Sequence, residues 1–140
     1  MSRKPENVFR ASVHKYLPKS LHHEKMNNDF VSGTPDDWYS GNKSDLWVEY
    51  KFLPRVPQRA SVFLVPDRDR RSGELSVLQE LWLNERYVEG RTVAVVVGCP
   101  DGGVILRDQE WMWEYTAQMF RDRLVPRKDI AQWIVQTTTR

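Results

Sequence analysis

Glu49 and Lys51 stand two positions apart in the run Leu46-Trp47-Val48-Glu49-Tyr50-Lys51-Phe52. Alternate side chains of an extended strand share a face, so Leu46, Val48, Tyr50 and Phe52 fall on one side, and Trp47, Glu49 and Lys51 on the other. A carboxylate and an ammonium are thereby aimed into one small volume from a single rigid element. Hard oxygen ligands suit Mg2+, and a cation beside them can orient an attacking water or offset charge on a phosphate. A lone Glu-x-Lys is ordinarily a surface salt bridge of little worth. The surroundings change that weight. Pro35-Asp36 lies upstream among turn residues, Ser32-Gly33-Thr34-Pro35-Asp36-Asp37 and then Ser40-Gly41-Asn42, which read as a hairpin around Trp38-Tyr39 over residues 30–44. Paired with the strand, that hairpin brings a second carboxylate beside Glu49. Pro-Asp recurs at Pro66-Asp67 and Pro100-Asp101, but neither precedes a strand carrying Glu-x-Lys. Asp36 and Asp37 are consecutive and face opposite ways on a strand, so only one of them can join Glu49.

The elements that must hold these groups are legible in outline. Residues 5–17 predict a first helix with Val8, Phe9, Val13 and Tyr16/Leu17 on its apolar face and Pro5 in its first turn. Residues 18–29 read as a polar, basic loop. A Pro- and Arg-rich connection (Pro54 to Arg71) leads to a second helix that begins at Ser76, where Ser76-Val77-Leu78-Gln79 fits a capping box. Leu78, Leu81 and Trp82 give that helix a core stripe, and Gly90 terminates it. Thr92-Val93-Ala94-Val95-Val96-Val97-Gly98 lacks polar alternation, as a strand covered on both faces would. A turn at Cys99–Gly103 and a returning strand at Val104-Ile105-Leu106 follow. Two helices close the chain, one marked by Trp111, Met112, Tyr115 and Met119, the other by Ile130, Trp133 and Ile134. A helix between two strands returns the chain parallel to the first, so the α/β fold expected is a mixed central sheet with helices on both faces.

Bulk properties narrow the function classes. At 140 residues, 40% hydrophobic and 29% charged, the chain suits one folded domain over 1–140. No apolar run approaches the roughly 18 residues of a membrane span, and the N-terminus lacks a signal-peptide core. The single cysteine, Cys99, cannot form an internal disulfide, so the expectation is a cytoplasmic protein with no membrane partner. The net charge of +2 is uneven: residues 1–25 carry six basic and two acidic side chains, residues 51–71 repeat that balance, and the remainder sums to −6. Arg10, Lys15, Lys19, Arg55 and Arg59 are accordingly candidate contacts to a nucleic-acid backbone.

Gly33-Thr34-Pro35-Asp36 followed by Trp47-Val48-Glu49-Tyr50-Lys51 resembles the active-site signature of the PD-(D/E)XK nuclease superfamily. Leu75-Ser76-Val77-Leu78-Gln79-Glu80-Leu81-Trp82-Leu83, then Gly90 and Val93-Ala94-Val95-Val96-Val97, is similar to the VRR-NUC branch. Small phage proteins of that branch resemble Holliday-junction resolvases and phage endonuclease I. The resemblance covers about residues 5–106 and leaves a C-terminal helical extension, about 108–136, unmatched. It implies a restriction-endonuclease-like core (αβββαβ) and a Mg2+-dependent deoxyribonuclease, with Mn2+ as substitute metal. It adds branched or Holliday-junction DNA as one candidate substrate, with DNA ends and RNA not separated from it by the sequence, and a homodimer in a host cytoplasm as a candidate assembly. Carried over by position, Asp36 and Glu49 bind the metal with the backbone carbonyl of Tyr50. Lys51 orients the nucleophilic water and Gln79 contacts substrate or holds the site. Glu6 adds an acidic group from the first helix, a placement its charge in a first helical turn explains equally. The motif and the position after Pro favour Asp36 over Asp37.

The alternative from another class is a catalytically silent nucleic-acid-binding or phage structural protein on the same fold. Other nuclease and hydrolase chemistries fit less well. His14, His22 and His23 all precede residue 24, whereas a His-Asn-His metal site needs a histidine on a later helix; here they read as surface residues or phosphate contacts. Cys99 has no histidine after it to serve as base. Gly102-Gly103 precedes a strand and is no phosphate loop. Of Trp111 and Trp113, one is expected in the core and the other at a surface that a partner copy could cover, unless the final helix folds back over both.

Overall fold

The computed structural model describes residues 4–26, 33–56, 62–64 and 75–140. In chain order the elements are α1 (Pro5–His14), β1 (His22–Lys25), β2 (Asp37–Ser40), β3 (Asp45–Phe52), β4 (Val62–Leu64), α2 (Val77–Val88), β5 (Val93–Cys99), β6 (Gly102–Leu106), a 3-10 turn (Glu110–Met112), β7 (Glu114–Thr116), α3 (Ala117–Asp122) and α4 (Arg127–Thr138). The main sheet runs β1-β2-β3-β5-β6, and β4 and β7 form a separate ribbon. Among the described strands of this sheet only β3 and β5 are parallel, with α2 in the connection between them; the other neighbours are antiparallel. This is the mixed sheet the element order predicts.

Side-chain alternation divides the interior in two. Leu46, Val48 and Tyr50 of β3 and Ala94 and Val96 of β5 meet Phe9 and Val13 of α1 and Ile130, Ala131 and Ile134 of α4. On the other face Val93, Val95 and Val97 meet Leu75, Leu83, Trp111, Tyr115 and Phe120. Every residue of β5 is buried, which is why its sequence shows no polar alternation. Among the described residues no helix is long and apolar enough to cross a membrane.

Three expectations need correction. The segment 18–29 contains β1, whose four residues are all exposed and polar; it is extended because it pairs with β2, and an edge strand without a buried face leaves no apolar signal. On α2 the inward face is Leu83 with the partly buried Trp82 and Tyr87, while Leu78 and Leu81 are exposed. The helix is rotated so that Gln79, one turn before Leu83, faces the sheet. The helix expected around Trp111–Met119 is broken into the 3-10 turn, β7 and α3. Asp108 and Gln109 enter the turn with φ of 54° and 64°, and Trp113 is extended at ψ 154°. β7 pairs with β4, and the Thr116 side chain accepts the Met119 N–H to start α3 afresh. Trp111 is buried and Trp113 half exposed. The last helix matches its expected position and covers the sheet beside α1.

Candidate active site

The β2–β3 ladder pairs Ser40 with Asp45, Tyr39 with Leu46, Trp38 with Trp47 and Asp37 with Val48. Directly opposite residues share a face. One further step along the same register sets Asp36 opposite Glu49. Asp36 lies just outside β2, and its Oδ2 accepts the Tyr50 N–H at 2.9 Å, supplying the bond that a longer β2 would have made. On the other edge of β3, Trp47 N–H donates to Thr92 O and Leu53 N–H to Gly98 O. The N–H and C=O of one strand residue project to the same edge, so those of Tyr50 both lie on the Asp36 side.

Glu49 is 2% exposed. Its Oε2 accepts from Gln79 Nε2 at 3.0 Å and lies 3.4 Å from Lys51 Nζ. Its Oε1 is buried and has no hydrogen-bond partner among the described residues. Burial above all, then the charge of Asp36, holds the Glu49 carboxyl well above the usual carboxylate range, with Lys51 acting in the opposite sense. Two carboxyl groups in contact need a proton or a cation between them. The orphaned Oε1 and the hard-oxygen donor set therefore fit a divalent metal held by Asp36 and Glu49, with the Tyr50 carbonyl within the same edge.

Gln79 reaches the site through its helix start. Ser76 Oγ accepts the Gln79 N–H at 3.1 Å, and Gln79 Oε1 accepts the Ser76 N–H at 2.9 Å. The capping box and the contact to Glu49 thus use opposite ends of one side-chain amide. Gly33 locks the Asp36 turn against this same helix start: at φ +92°, any Cβ there would sit 2.4 Å from the Leu78 carbonyl oxygen. Gly33 stands in the motif, but its contact depends on a positive φ and a close approach, neither visible in sequence.

The opposite face of β2 carries a second polar group. Asp37 is fully buried and accepts from Nε and Nη2 of Arg10, itself 8% exposed. Arg10 is therefore withdrawn from the exposed basic surface where the sequence reading put it, since its charge is spent on Asp37 inside the fold. The signal was available: Arg10 is three residues from Val13, on the inward face of α1. Beside it, His14 Nε2 and Tyr39 OH are 2.7 Å apart and Tyr39 OH and Tyr50 OH 2.6 Å apart. His14 is thus not a surface histidine; burial, then Arg10 and His23, lowers its pKa to about 4. Glu6 is not brought to Asp36 and Glu49. It lies on α1, which packs against the other face of the sheet, and among the described residues no group of three or more His, Cys, Asp or Glu side chains is placed to hold a metal. Lys15, Lys19 and Arg55 are exposed, and Arg59 lies outside the described residues.

No protein-family model and no curated protein matches the sequence. Among solved structures the chain is similar to Hjc of Archaeoglobus fulgidus, a Holliday junction resolvase from an archaeal hyperthermophile. The likeness covers 92% of this chain and 97% of that one at 13% identity, with a TM-score of 0.54. At that identity the likeness is one of fold: the five-stranded mixed sheet, its flanking helices and the C-terminal helices make a restriction-endonuclease-like α/β fold.

Proposed function

We propose that this chain is a divalent-metal-dependent endonuclease of the PD-(D/E)XK type that hydrolyses DNA phosphodiester bonds. The observation that carries the reading is the apposition of Asp36 and Glu49, with a buried Glu49 Oε1 that has no hydrogen-bond partner among the described residues and the Lys51 ammonium on the same strand face. Asp36 and Glu49 would hold Mg2+ or Mn2+, with the Tyr50 carbonyl as a further ligand. When bound, the metal supplies Lewis acidity toward a phosphoryl oxygen and a more acidic water. Lys51 holds the attacking water and offsets charge gathering on the phosphate oxygens. Gln79 keeps Glu49 in one orientation by donating to its Oε2.

The fold shared with a resolvase favours branched DNA among possible substrates, and Lys15, Lys19 and Arg55 remain exposed for backbone contacts. Half-exposed Trp113 offers a surface to a second copy, which symmetric cutting of a branch would require; sedimentation equilibrium giving a constant mass near 16.6 kDa would exclude that dimer. The test of the reading is incubation of wild type, Glu49→Ala and Lys51→Ala with supercoiled and branched DNA in Mg2+, Mn2+ or EDTA. Cleavage that needs metal and all of these side chains supports it. Binding without cleavage by the wild type would leave the silent nucleic-acid-binding reading, and full cleavage in EDTA would defeat the assignment.

A further inference from the structure

Asp36 sits one residue beyond the last ladder pair of a four-residue strand, where pairing ordinarily frays. Its own backbone has one described ladder-like bond, from Met26 N–H to Asp36 O. Its carboxylate nevertheless has a defined place, set by two neighbours: Asp37, which follows it, and Tyr50, whose N–H it accepts. Both are gripped from the far side of the sheet by one guanidinium. Arg10 donates through Nε and Nη2 to the two oxygens of Asp37, and its Cζ lies 5.8 Å from the centre of the Tyr50 ring. The Tyr50 hydroxyl is in turn tied to Tyr39 and through it to His14.

A buried ion pair is a poor means of gaining stability, since apolar residues of similar volume do as well or better. A bidentate fork does fix direction. From this geometry we infer that Arg10 is a positioning residue for the metal-binding carboxylate: by clamping Asp37 and Tyr50 on the α1 face, it holds Asp36 against Glu49 on the other. The inference rests on the nuclease reading for its purpose, and its physical content can be tested without that reading.

The test replaces the pair as a unit, with Arg10→Met and Asp37→Leu together, which leaves no buried charge behind. The direct readout is the Tyr50 amide in the metal-free protein, followed by hydrogen exchange and chemical shift. The Trp47 and Leu53 amides, bonded to β5, serve as internal references. Loss of the hydrogen bond to the Asp36 carboxylate should speed Tyr50 exchange about tenfold relative to those references and move its amide proton upfield, in a variant with at least wild-type stability. Mn2+ affinity should fall about tenfold in the same variant. A stable double variant whose Tyr50 amide keeps wild-type shift and protection overturns the inference. Should the double variant not fold, Arg10→Lys decides the matter. It keeps the charge and loses the fork, so unchanged Tyr50 protection counts against the clamp and accelerated exchange counts for it. A wild type that binds no Mn2+ defeats the nuclease reading alone, because the amide readout still judges the clamp.

Discussion

Gln79 Nε2 donates to Glu49 Oε2 across 3.0 Å while Oε1 of the same Gln79 accepts the Ser76 N–H that opens α2. The start of the helix and the orientation of the buried carboxylate are therefore one arrangement, and a substitution can be chosen to separate them. Gln79→Ala removes both bonds. It should cost about 0.5–2 kcal/mol in urea unfolding, the usual worth of a cap, and weaken cleavage as well. Gln79→Glu keeps a good capping-box acceptor and sets a third carboxylate against Glu49. Stability should then change little at pH 4, where Glu49 holds its proton, while the cleavage rate at neutral pH drops about tenfold or more, near 1.4 kcal/mol in activation free energy. Parallel losses in both variants would show that the Glu49 contact is incidental.

The two faces of β3 could be read from the sequence because period-two alternation holds there: Leu46, Val48 and Tyr50 went inward to α1, and Glu49 and Lys51 to the other face, though the burial of Glu49 is not in that pattern. Ser76 and Gln79 were legible for a similar reason, a local motif satisfied by local bonds. Arg10, Asp37 and the stripe of α2 were not, since each depends on which face of an element a distant partner occupies. Arg10 looks like any surface arginine until α1 is laid over Asp37. Leu78 and Leu81 outrank Gln79 in hydropathy, yet Gln79 faces the sheet because Glu49 needs its donor. The break at Asp108 and Gln109 follows from two positive φ angles that no apolar spacing reports.

Without a metal, Glu49 makes stability fall as pH rises above the ordinary carboxylate range. Its folded pKa lies above the ordinary value of 4.5, so the folded state keeps a proton that the unfolded chain releases. This group's contribution is complete below 4.5 and is lost as pH rises toward the folded value. Without metal, Glu49→Gln should be more stable than wild type at neutral pH, and the gap should close at pH 4. Mg2+ should raise the melting temperature of the wild type and leave Glu49→Gln nearly unmoved. Equal melting curves across pH would mean that Glu49 is not held in a raised state.

His14 works in the opposite direction. Its folded pKa of about 4 lies below the ordinary 6.5, so on acidification the unfolded chain takes up the proton first. The stability from a neutral imidazole beside Tyr39, Tyr50, His23 and Arg10 is full above 6.5 and is lost as pH falls toward about 4. The difference in unfolding free energy between wild type and His14→Gln should shrink across that interval. Imidazole resonances of His14 should show no titration near 6.5 in the folded protein; a midpoint there would contradict its burial.

Gly33→Ala should act on the site through α2. The new methyl group meets the Leu78 carbonyl oxygen, and φ +92° is unfavourable for alanine, so a cost of about 1–3 kcal/mol is expected. The helix start has to move away, stretching the Gln79–Glu49 bond and lowering cleavage although Asp36, Glu49 and Lys51 are all unaltered. Wild-type stability and rate in Gly33→Ala would mean that the turn relaxes without disturbing α2.

The floor beneath Tyr50 is laid by α1 and α4, elements more than a hundred residues apart along the chain. On a ribosome, Asp36, Glu49 and Lys51 have all emerged long before Ile130 and Ile134 exist to close that floor. The nascent chain thus carries its acidic pair on a half-covered sheet, with Tyr39, Leu46 and Val48 lacking the helix that later shields them. Synthesis itself imposes an order in which the packing behind Tyr50 is completed late, once α4 has docked beside α1.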